Sequence, residues 1–189
     1  LMLGLAEAIA NRQGDWQGFP IHKHGTVAYL QVDTPREEWA ARILRMTWTA
    51  EHAADRLWIA DMWQVPEFPF NILNPQGLEI QWFRDNLARI QPIMVVIDTI
   101  REIHAGDEND STVMRNVITT LVSACRPAAI VLVSHSRKDS IMTAPGDDDL
   151  MDQQRGSSYV SGRMDVIIKV SPRRLVFKGR ATGQLQYPI

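Results

Sequence analysis

The run Ile93–Arg101, IMVVIDTIR, constrains this chain more than any other stretch. Its apolar, largely β-branched residues show no alternation. A strand made from them needs cover on both faces, as at the centre of a parallel sheet. The run ends on a carboxylate, Asp98, followed at once by a hydroxyl, Thr99. Open sheets of this kind place their ligands outside the carboxyl ends of their strands. An acid at that position stands where a site is built.

Three further runs share the character. Thr26–Val32 (TVAYLQV) ends at Asp33, Leu57–Ala60 ends at Asp61, and Ala128–Val133 (AAIVLV) ends at Ser134-His135. Helical signals separate them. Thr34 is a helix cap, Pro35 suits the first position and Glu37 completes a capping box, with Trp39, Ile43 and Met46 along one face. Leu78–Ile90 places Ile80, Phe83, Leu87 and Ile90 at helical spacing. Asp110 or Ser111 can cap a helix whose stripe is Met114, Val117, Ile118, Leu121 and Cys125. Val166–Val170 and Leu175–Lys178, joined by a turn at Pro172-Arg173, are expected to close the sheet as an antiparallel edge. Trp16–His24 and the polar Ser136–Gln154 are expected as loops, the second long enough to imply a function. The alternation predicts an α/β fold, a mainly parallel sheet flanked by helices.

Length and charge bound the function. The 189 residues suit a single domain over residues 1–189. A net charge of −2 removes global basicity as a basis for nucleic-acid binding, so any such contact needs a local patch. A lone cysteine, Cys125, excludes an internal disulfide and fits a reducing, cytoplasmic setting. No apolar run reaches the roughly eighteen residues of a membrane span, and no membrane partner is expected. His22 and His24 have no further ligands nearby in the sequence to make a metal site. Leu1, Leu5, Ala8 and Ile9 fall on one helical face with no cap before them and Gly14 as a stop signal. The chain is therefore expected to open inside a helix, as an N-terminally truncated piece.

Three strand ends carry polar groups able to converge: Asp33, Asp98-Thr99 and Ser134-His135. Phosphoryl transfer needs an acid to hold a metal, a group to orient water, and contacts to the terminal phosphate. Asp98 suits the first task, Asp33 the second and His135 the third.

The segments YLQVDTPREEW (Tyr29–Trp39), VVIDTIREIH (Val95–His104), GDENDST (Gly106–Thr112), VLVSHSRK (Val131–Lys138) and RGSSYVSGRMD (Arg155–Asp165) together resemble the RecA-like P-loop ATPase core. The resemblance is to the branch of RepA-type and DnaB-type hexameric helicases and related phage ATPases. It implies ATP and Mg2+ as cofactors, with Asp98 as the Walker B acid that holds the metal through water. By the same resemblance Asp33 replaces a catalytic glutamate and is one methylene shorter. His135 corresponds to the γ-phosphate sensor, with Thr99 and Ser134 beside the nucleotide. Arg155 matches an arginine finger, and Lys178 and Arg180 the basic pair inserted into a neighbouring subunit's site. Single-stranded DNA and a homo-oligomeric, hexameric ring are the partners implied. The loops expected to meet DNA are Ala105–Ser111 and Ser136–Gln154. Arg137 and Lys138 favour that contact, Asp147, Asp148 and Asp149 oppose it, and the second loop has no aromatic stacking platform.

One departure is large. No G-x-x-x-x-G-K-[ST] motif occurs in the chain. The family places that loop directly before its first helix, so the first strand and P-loop are expected upstream of Leu1. These residues alone are expected to bind ATP poorly. The implied function is ATP hydrolysis coupled to DNA binding or translocation, as in a replicative or repair helicase. The alternatives are an ATP-dependent recombination or loading factor, and a non-catalytic scaffold that retains the fold.

Overall fold

A computed structural model describes residues 1–45, 56–61, 70–74, 76–135, 158–171, 174–180 and 183–188. Its contacts divide the chain into two compact units. One comprises Leu1–Ala105 with Thr119–Val133, the other Gly106–Ile118 with Ser134–Ile189.

The first unit is built on four parallel strands, β3 (Val27–Gln31), β4 (Leu57–Asp61), β5 (Met94–Asp98) and β6 (Ala129–Val133), in the order β4-β3-β5-β6. A small antiparallel hairpin, β1 (Asp15–Trp16) and β2 (Phe19–Pro20), precedes them inside the stretch expected to be loop. All five residues of β3 are buried, which explains why its sequence runs apolar without alternation. In the register, Tyr29 faces Ile59 and Val96, while Gln31 faces Asp61 and Asp98. Asp98 in turn faces Val133.

Helices cover both faces. Helix α1 (Met2–Ala10) and helix α2 (Arg36–Arg45) share one face: Leu3, Ala6, Ala10 and Trp39 form a core with Val27, Tyr29, Leu57, Met94 and Val96. Helix α3 (Leu78–Ile90) buries Ile80, Phe83 and Leu87. On β4, Trp58 points the other way from Leu57 and meets Trp82 of α3, ring centroids 5.7 Å apart and planes tilted 43°. Phe70 adds edge contacts to Trp82 and Phe83. Helix α3 has the bounds its periodicity predicts and ends on Gln91, in the left-handed conformation at φ 49°. Helix α1 ends at Ala10, ahead of Gly14, because the chain turns at Arg12 with φ 58°.

Helix α4 (Ser111–Cys125) belongs in part to each unit. Asp110 caps it, its Oδ1 accepting from the N–H of Thr112 at 2.7 Å and of Val113 at 3.3 Å. Gly106 lies so close to this helix that a Cβ there would meet a Val113 methyl at 2.5 Å.

In the second unit a short helix α5 (Ser158–Arg163) follows, with Arg115 stacked over the Tyr159 ring at 5.4 Å. Three antiparallel strands close the chain: β7 (Val166–Ser171), β8 (Arg174–Gly179) and β9 (Gly183–Pro188). The two expected strands are present as an antiparallel pair. They form a separate sheet with a third strand, Gly183–Pro188, rather than an edge of the parallel one. Among the described residues no helix is long and apolar enough to cross a membrane.

Candidate nucleotide site

The carboxyl ends of β3, β4 and β5 bring one layer of polar side chains together. Parallel register puts Asp61, Gln31 and Asp98 side by side on the face that carries Tyr29. Two residues back along β3, the Tyr29 hydroxyl donates to Asp98 Oδ2 at 2.6 Å. Tyr29 is 1% exposed, and its ring leans on Trp39 of α2 with centroids 5.2 Å apart. Burial pushes the phenol well above its usual range. The Asp98 charge and the hydrogen bond to it add to that, while Arg42 opposes them. Burial and Asp98 both favour the neutral, donating hydroxyl. A hydrogen bond of this charged kind contributes about 1.5–3 kcal/mol.

Asp33 lies one residue past β3's last backbone contact. The Val32 N–H donates to the Asp98 carbonyl at 2.9 Å, so the exposed Asp33 follows directly on a residue tied to Asp98. Asp61 is buried and pairs with Arg36 at 3.7 Å. Gln31 is fully buried and neither of its amide atoms has a hydrogen-bond partner. Thr99 is buried, its peptide with Asp98 is cis, and a single 3-10 turn, Ile100–Ile103, follows.

The other sequence-predicted residues are distributed differently. Ser134 and His135 continue the chain from Val133, the register partner of Asp98, and both are exposed in the second unit. Lys178 sits on β8 opposite Ile167 and Gln184. Arg180 donates to the Gly162 carbonyl at 2.8 Å and lies 3.9 Å from Asp165, anchoring the turn after β8. Arg155 and the loop 136–154, with Arg137 and Lys138, lie outside the described residues.

Tyr29, Gln31 and Asp61 lie beside Asp98 in this polar layer, and sequence reasoning does not single them out. A tyrosine inside an apolar strand reads as packing, and only the register reveals which acid it meets. Asp61 had the same strand-end signal as Asp98 but follows a shorter run.

Among the described residues no group of three or more His, Cys, Asp or Glu is placed to hold a metal ion. Mg2+ in a phosphate site needs only one or two carboxylates, with substrate oxygens and water completing the shell. Asp98 has one oxygen engaged by Tyr29, and its second oxygen fits this requirement.

A parallel sheet with helices on both faces and an acid at the end of an inner strand defines an α/β protein of the nucleotide-binding kind. Residues 1–140 match the family described as AAA domain, and the chain belongs to that family. A KaiC-like protein from the hyperthermophilic archaeon Pyrococcus horikoshii OT3 has a similar structure. The likeness has a TM-score of 0.58 at 13% identity, over 98% of this chain and 78% of the other. At that identity it establishes the fold, which is RecA-like. No curated protein matches the chain.

Proposed function

We propose that this domain hydrolyses ATP with Mg2+ and couples the reaction to DNA binding or translocation, as part of a homo-oligomeric ring of the RepA and DnaB kind. The observation that carries the reading is Asp98, fixed at the end of β5 with Asp33 one residue beyond its backbone partner. Mg2+ held there would supply positive charge that offsets the phosphates. Asp98 anchors its shell through water. Asp33 accepts a hydrogen bond from the attacking water and orients it in line with the leaving group. Ser134 and His135 contact the terminal phosphate, and Arg155, Lys178 and Arg180 supply cations to a neighbouring subunit's site.

ATP turnover by the natural full-length protein, with and without single-stranded DNA, tests this. Asp98→Asn should lower turnover about ten- to a hundredfold, since it removes the carboxylate that holds the metal through its water shell. Turnover that survives Asp98→Asn would remove the metal role. No turnover at all would favour a scaffold that keeps the fold.

One observation favours a second reading, a loading or recombination ATPase that does not thread DNA through this domain. The Ala105–Ser111 loop presents exposed Asp107 and Asp110 with Glu108 between them, a charge pattern that repels phosphates. Strand displacement without an added helicase separates the two readings.

A further inference from the structure

We propose that Tyr29 is a positioning residue that sets which oxygen of Asp98 is offered to the nucleotide-bound metal. The inference rests on the ATPase reading above. A carboxylate at a strand end turns readily about its terminal torsion, which is broad and roughly two-fold. Here one oxygen is captured by the Tyr29 hydroxyl at 2.6 Å, a contact between side chains on neighbouring strands. The hydroxyl itself has little freedom. Tyr29 is 1% exposed, sits on an inner strand, and its ring is braced by Trp39, which is 5% exposed.

The neighbouring polar side chain does not share the task. Gln31 faces Asp98 across the strands, yet both its amide atoms lack a partner. The rotation of Asp98 is therefore set from one side, by a phenol held in the core. A carboxylate oriented this way presents its second oxygen to the metal's water shell without first losing rotational freedom. Partners of this outer-shell kind change metal affinity by about ten- to a hundredfold when removed.

Tyr29→Phe keeps the ring against Trp39 and deletes the donor. The test compares wild type, Tyr29→Phe and Asp98→Asn in the natural full-length protein. The readout is the Mg2+ concentration that half-saturates the metal-dependent binding of a fluorescent ATP analogue. Tyr29→Phe should raise that midpoint about tenfold, and Asp98→Asn should abolish the metal dependence. An unchanged midpoint in Tyr29→Phe, with the dependence lost in Asp98→Asn, overturns the positioning role and leaves the ATPase reading standing. Wild type that binds no nucleotide overturns that reading and this inference with it. Should Tyr29→Phe fail to fold, NMR of ring-labelled tyrosine in the wild type decides. Adding Mg2+ to the nucleotide complex should move the Tyr29 resonance and leave Tyr159 and Tyr187 in place, and a stationary Tyr29 overturns the proposal.

Discussion

Tyr29 and Asp98 are separated by most of the first unit's sequence, yet a short hydrogen bond joins them because two strands run in parallel register. At the residue scale this chain places chemistry where buried apolar strands run out. Cys125 shows the opposite outcome, a nucleophile type made inert. It is 3% exposed near the end of α4, and burial pushes its thiol from 9.0 up to about 12. The native fold therefore prefers the neutral thiol. The stability this contributes is complete below about pH 9 and is lost as pH rises from there through 12, because the unfolded chain ionises first. Since the thiolate is the reactive form, a thiol reagent at pH 8 should label the folded protein far more slowly than the denatured one. Equal rates would show that Cys125 is accessible in the native state.

At the scale of elements, α4 depends on its cap. Asp110 Oδ1 serves two of the helix's first N–H groups, and Asp110→Ala should lower the unfolding free energy by about 1 kcal/mol in a urea titration. A loss near zero would mean that water replaces the cap at no cost. The same helix shows how far sequence reading reaches. Asp110 was one of two cap candidates, and Met114, Val117, Ile118, Leu121 and Cys125 are all buried as their spacing requires. Helix α3 and the four apolar strands were equally legible, because period and turn chemistry are local. Residues 183–188 were not, since GQLQYP carries a glycine, a proline and two glutamines and pairs only because β8 is there to receive it. The short helix Ser158–Arg163 was hidden within a polar stretch for a similar reason. In the site, Asp98 and Asp33 were visible as strand ends. Tyr29, Gln31 and Asp61 depended on which strands become neighbours, and that order, β4-β3-β5-β6, is a property of the assembled sheet.

At the scale of the whole molecule, a RecA-like domain that works in a ring should show it in solution. The natural full-length protein is expected to sediment as a closed oligomer, with ATP turnover per subunit rising as protein concentration carries it through assembly. Cations supplied in trans are absent from an isolated subunit. Turnover that stays constant per subunit from a monomer upward would rule out completion of the site by a neighbour. The layer behind the site offers an independent view of such a cycle. Trp58 and Trp82 belong to a strand and to the helix laid on it, and their rings are near enough to share an electronic excitation. Light absorbed there belongs to the pair, and the split band it produces in circular dichroism persists only while helix and sheet stay docked. The domain thus carries its own optical gauge, able to report without any label whether the scaffold stays rigid while the opposite face turns over.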